Sequence, residues 1–129
     1  MIKIIIITVI RIWDVIVICG IDFAIGVTDK EASKAEKYVH FNERIHAYLL
    51  KKEKGYGNDF NLLLNLDPYL QTIIYRDKIP DLIVICVALI NKYNLSGEKE
   101  QEITTFAQEL KELCEFAIKQ KKHIYAIGD

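Results

Sequence analysis

Residues 79–93 read IPDLIVICVALINKY, and the fold follows from how this stretch is taken. Leu82 to Ile90 is apolar without a break. A bilayer span needs about 20 such residues, so the run belongs inside a folded domain. Pro80 suits the first turn of a helix, where its missing N–H would have no partner anyway. Asp77 and Asp81 put negative charge at that end and Lys92 puts a cation at the other, both as the helix dipole prefers. The β-branched Ile83, Val84, Ile85 and Val87 also fit a buried strand, but the caps and the length favour a helix of about 14 residues. Being apolar on more than one face, it is expected to be covered from two sides.

Beyond Asn94-Leu95-Ser96-Gly97, a turn, comes the most regular pattern in the chain. Ile103, Phe106, Ala107, Leu110, Leu113, Cys114, Ala117 and Ile118 step by three and four residues, which predicts a helix over 98–120. Glu98, Glu100 and Glu102 crowd its start and Lys119, Lys121 and Lys122 its end, in the sense the dipole rewards. Ile124-Tyr125-Ala126-Ile127 then predicts a short strand, similar in size pattern to Phe23-Ala24-Ile25 and a suitable partner for it.

On the other side, Ile21, Phe23, Ile25 and Val27 alternate with Asp22, Ala24, Gly26 and Thr28, the period-2 mark of a strand with one buried face. Thr28 or Asp29 caps a charged segment over 30–37, read as a short helix or an ordered loop. Tyr38 to Phe41 predicts a brief strand. Asn42 is a good N-cap for a helix over 43–54, with Ile45, Tyr48 and Leu49 inward and Lys51, Lys52 and Lys54 in its last turns. Residues 55–59 form a loop, 60–66 one or two helical turns ended by Asp67-Pro68, and 69–74 fits either an extended or a helical backbone. The pieces predict a single domain of α+β class, or a small α/β fold: one layer of strands covered by about four helices. Helix 79–93 is expected to lie against the sheet with helix 98–120 beside it.

Residues 1–20, MIKIIIITVIRIWDVIVICG, change composition sharply. Three readings fit: a β-strand or strand-like appendage, favoured by almost unbroken β-branching; a membrane anchor over 2–20; and a signal peptide. Arg11 and Asp14 oppose the anchor, since each costs roughly 2.5–3.5 kcal/mol near the centre of a span. The signal peptide is opposed by Arg11 and by the lack of a small-residue cleavage site.

The 129 residues carry 17 Lys and Arg against 18 Asp and Glu, a net charge of −1 that offers no field to draw in nucleic acid or an anionic membrane. Cys19, Cys86 and Cys114 are odd in number and form no CxxC, as expected of thiols in a reducing cytoplasm.

The densest polar group is His40-Phe41-Asn42-Glu43-Arg44-Ile45-His46. His40, Glu43, Arg44 and His46 could supply a general base and an anion clamp. His40 and His46 lack metal-pair spacing on helix or strand, so no metal is expected, and no motif calls for a cofactor. The bland alternative is a capped helix start with surface histidines. Asp22 and Asp129 would approach one sheet edge if the strands around 23–25 and 124–127 pair. Tyr56, Asp67, Tyr69 and Phe116 place aromatics and an acid in loops or off the apolar stripe, which is what protein interfaces favour. The composition therefore points first to a small protein that binds another protein, an immunity- or antitoxin-type inhibitor in its concrete form. A small enzyme or ligand-binding domain using 40–46 comes second and a membrane-tethered domain third. Pairing with a second copy stays open.

Overall fold

The computed structural model of the chain describes residues 19–53 and 60–128. The elements run β1 (Gly20–Gly26), α1 (Asp29–Ser33), β2 (Tyr38–Asn42), α2 (Glu43–Lys52), α3 (Asn61–Leu64), β3 (Gln71–Ile74), a 3-10 turn (Arg76–Lys78), α4 (Ile79–Lys92), α5 (Glu98–Gln120) and β4 (His123–Gly128). The strands form one sheet in the order β2-β1-β4-β3, every neighbour antiparallel. That is α+β, and it excludes the alternating parallel arrangement of an α/β fold. Within the ambiguous stretch over 69–74, Gln71–Ile74 is a strand and Tyr69 and Leu70 belong to the turn before it, and the reading of 1–19 falls, but for Cys19, outside the described residues.

β1 sits in the middle because its two faces are both useful. Ile21 and Phe23 point to the helices, and Asp22, Ala24 and Gly26 to the other side. The proposed partnership with 124–127 is real: Phe23 lies opposite Ala126 and Ile25 opposite Ile124. On the far face α1 presses Ala32 over Ala24 and Tyr125. Gly26 permits this, because a Cβ there would meet the Ala32 backbone. Thr28 caps α1 through its hydroxyl, which accepts from the Glu31 N–H at 3.2 Å. The Glu31 carboxylate accepts from the Lys122 ammonium and from the Val27 N–H, and these donors, Lys122 above all, hold it below the ordinary carboxylate range. The segment over 30–37, read as a short helix or an ordered loop, is helical as far as Ser33, with Ala32 its buried residue.

α5 is the helix that approaches the sheet closely, crossing β2, β1 and β4, and α4 packs chiefly along α5. The expected arrangement had these two roles the other way round. Ile103, Phe106, Ala107, Leu110, Leu113, Cys114 and Ala117 are buried as one stripe. Phe106 stacks on Phe41 at 4.3 Å between centroids and tilts against Phe23 at 6.2 Å. α5 ends where Lys121 takes the left-handed conformation (φ 58°, ψ 44°), with the Lys122 N–H bonded back to the Ala117 carbonyl. His123 opens β4, and its Nδ1 accepts from the Arg76 N–H at 3.1 Å, tying the 3-10 turn to β4.

α4 buries Ile79, Leu82, Ile85, Cys86 and Leu89 and leaves Val84 66% exposed. Among the described residues it is covered on one broad face and not on two. A domain this small has too much surface per unit volume to enclose a second helical face.

Phe106→Ala removes the ring shared by Phe41 and Phe23 and is expected to cost about 3–5 kcal/mol, whereas Val84→Ala should stay within about 0.5 kcal/mol. Urea unfolding of the two variants, followed by circular dichroism, checks the contrast.

Candidate functional site

The segment 40–46 divides in space because it straddles the end of a strand and the start of a helix. His40 is on β2 with its ring on the side of the sheet away from α5, directly opposite Asp22 in the β1–β2 register. The His40 Nδ1–H donates to the Asp22 carboxylate at 2.7 Å, and both side chains are partly exposed. Asn42 caps α2, its Oδ1 accepting from the Arg44 N–H at 2.7 Å. Glu43 opens the helix, its N–H bonded to the Cys19 carbonyl, and Arg44 points to solvent. His46 turns inward: it is buried, stacks on Phe41 at 4.7 Å and donates from Nε2 to the Leu64 carbonyl at 2.8 Å. His46 is thus a core histidine, and the four residues do not form one constellation.

The other group disperses as well. Asp67 makes a tight turn, its carboxylate accepting from the Tyr69 N–H at 2.8 Å, and Tyr69 stands out beside the β3 edge. Phe116 is exposed on α5 under the Lys37 ammonium, beside the entry to β2 and so at the opposite edge of the sheet. Tyr56 and Asp129 lie outside the described residues, though Asp22 does face Ile127 of β4, as the expected pairing required.

What brings part of the segment together with new residues is a groove of about 430 Å³ between β2, the start of α2 and the outer face of α5. Phe41, Ile45 and Phe106 supply its apolar lining, and His40 and Asn42 lie on the β2 side. The α5 side presents Glu98, Gln101, Glu102, Thr105 and Glu109. Glu98, Glu102, Thr105 and Glu109 recur at helical spacing because this is the polar stripe left over once 103, 106, 107 and 110 are buried. Among the described lining residues there are three carboxylates and neither lysine nor arginine. Sequence reasoning assigned Glu98 and Glu102 to the helix dipole and gave Glu109 no role. The i, i+4, i+11 spacing of these acids was the available signal.

A second polar cluster joins α2 to α4. The Glu53 carboxylate, 2% exposed, accepts from the Tyr93 hydroxyl and from the Lys92 ammonium at 2.7 Å. Burial and the adjacent carboxylate push the Tyr93 phenol well above its ordinary range, so it serves as a donor. No group of three or more His, Cys, Asp or Glu among the described residues is placed to hold a metal ion. No helix among them is long and apolar enough to cross a membrane. Neither a family model, nor a curated protein, nor a solved structure matches the chain.

Two outcomes follow from the buried groups. Tyr93→Phe leaves the Glu53 carboxylate short of a donor and should lower stability by about 1–3 kcal/mol, read from thermal melts near neutral pH. Burial pushes the Cys86 thiol from 9.0 up to about 12. The folded chain then keeps a proton that the unfolded chain releases, so stability is full below pH 9 and falls as pH rises toward 12. Cys86→Ala should remove that part of the decline in urea midpoints measured from pH 8 upward, at the cost of a small cavity.

Proposed function

We propose that this chain acts by binding another protein, and that the groove between β2 and α5 receives a basic segment of the partner. One observation carries the reading: a concave apolar lining of Phe41, Ile45 and Phe106 flanked by Glu98, Glu102 and Glu109, with neither lysine nor arginine among the described lining residues. An apolar centre with a charged rim is what a transient protein interface requires. A one-sided charge makes the encounter faster and selective for a partner of opposite sign. The overall charge of −1 means that the chain as a whole adds no strong field to that of these glutamates. An immunity- or antitoxin-type inhibitor, which must occlude a positively charged surface on its target, is the form of partner binding that this chemistry suits best.

The His40–Asp22 pair supports a second reading. A carboxylate that accepts from Nδ1 fixes the imidazole so that Nε2 carries the lone pair, the arrangement of an oriented general base. A small hydrolytic or ligand-binding site on the outer face of the sheet, apart from the groove, would use it.

The test is to recover the protein from its host under native conditions, identify any stoichiometric partner by native mass spectrometry, and titrate that partner by calorimetry at two salt concentrations. The combined variant Glu98→Lys, Glu102→Lys, Glu109→Lys should weaken binding roughly 10- to 100-fold, and binding by the unaltered chain should weaken as salt is raised. His40→Ala should change affinity less than threefold. Full affinity in the charge-reversed variant would remove the groove from the interface. Loss of a turnover or of a retained small molecule in His40→Ala and Asp22→Asn, with the charge-reversed variant unaffected, would install the second reading instead.

A further inference from the structure

We infer that the protein pairs with a second copy of itself through β3, which joins two sheets edge to edge in antiparallel register about a two-fold axis at Ile73. The inference is independent of the groove, which lies at the other edge of the sheet.

The backbone pattern of β3 is set by its partner. The Leu70 carbonyl accepts from the Gly128 N–H at 3.0 Å, so Leu70, Thr72 and Ile74 turn their backbone groups toward β4. Alternation then turns the N–H and C=O of Gln71 and Ile73, and the N–H of Tyr75, to the outside. Among the described residues no strand lies beyond β3. Edge strands are normally protected by a lysine, a proline or a bulge. Here residues 69–75, Tyr-Leu-Gln-Thr-Ile-Ile-Tyr, carry no charge and no proline. Tyr69 is 70% exposed, Leu70 61% and Tyr75 54%, so the open backbone is flanked by open apolar side chains.

Self-complementarity identifies the occupant. A two-fold axis at Ile73 sets Ile73 opposite Ile73 of the other copy and Gln71 opposite Tyr75. The outward groups of the two Ile73 residues then pair with each other, the Tyr75 N–H meets the Gln71 carbonyl, and the Gln71 N–H needs the Tyr75 carbonyl. The Tyr75 carbonyl already accepts from the Lys78 N–H at 2.8 Å and keeps its second lone pair for Gln71. Ile73 would pack against its own copy on the face that holds Tyr125, continuing a cross-strand row already present within one chain. The exposed side chains and the strand offer on the order of 500 Å² per copy, close to the lower limit for a specific interface. A net charge of −1 per chain raises little repulsion between copies. The expected species is a concentration-dependent dimer that dissociates in the micromolar range.

Sedimentation equilibrium of the full chain from 1 to 200 μM should show this dimer. Ile73→Pro removes an outward N–H and no β3–β4 hydrogen bond, and should raise the dissociation constant at least tenfold. Ile73→Lys, which keeps the backbone, should do the same by charge. In a Cys19→Ser background, Ile73→Cys should cross-link to itself on mild oxidation, and Val84→Cys, exposed on α4, should not. A chain that stays monomeric at 200 μM overturns the inference. So does a dimer that tolerates both Ile73 substitutions, or one that cross-links equally through Val84→Cys. Partner binding through the groove is read separately, so failure of the dimer would leave that reading standing.

Discussion

The structure depends on the burial of one face of α5. The sheet presents Ile21, Phe23, Val39, Phe41, Ile124 and Ala126 to that helix, and α4 packs against it from the other side. Phe106 sits where the three meet, stacked on Phe41 and tilted against Phe23. Taken away, α5 would leave the sheet with an open apolar face and α4 without its chief neighbour. The same geometry produces the groove. A helix that commits 103, 106, 107 and 110 to the core must offer 98, 102, 105 and 109 to solvent, and β2 lies alongside that stripe. Phe106 belongs to both regions, so the floor of the candidate site is held as rigidly as the core itself. The glutamates of the wall are free of that constraint. Glu98, in the first turn, also gains a few tenths of a kcal/mol from the helix dipole.

Much of this was legible from side-chain periodicity. The α5 stripe, the N-cap at Asn42, the alternation in β1 and the β1–β4 partnership are all local patterns with a single physical reading. What misled was α4. Its nine-residue apolar run suggested cover on two sides, yet Val84 and Val87 face water. A run of apolar residues records hydrophobicity without recording which neighbours exist to use it, and among the described residues α5 is the one long helix that α4 packs along. The segment 69–74 was undecided because Tyr-Leu-Gln-Thr-Ile-Ile has no clear period, and its strand state comes from the β4 edge it completes.

The site was less legible, for a geometric reason. Residues 40–46 look like one cluster in the sequence, but a strand alternates its side chains and a helix rotates them by about 100° per residue. Changing from one to the other at Asn42 sends His40 to the sheet and His46 to the core. Conversely, Asp22 and His40 are 18 positions apart and touch because the β1–β2 register sets them opposite each other. A register is a long-range property, and neither strand contains it alone. The acids of α5 were visible but had a sufficient local explanation in the dipole, which concealed that they also face a concavity.

The order β2-β1-β4-β3 has a further bearing, on how the molecule is made. β1 is the first described strand and β4 the last, yet they are neighbours at the centre of the sheet, Ile21 lying opposite Gly128. Synthesis delivers β1, β2 and β3 long before the strand that must stand between β1 and β3. Until residues 123–128 have emerged, β3 lacks its partner β4, and among the described strands β1 has β2 alone to pair with. The helical pair α4 and α5, whose contacts are local, can assemble early; the sheet of described strands cannot close until the chain has been read through β4. A nascent chain halted before that point would expose an unpaired apolar strand, the kind of surface that chaperones hold and aggregates recruit.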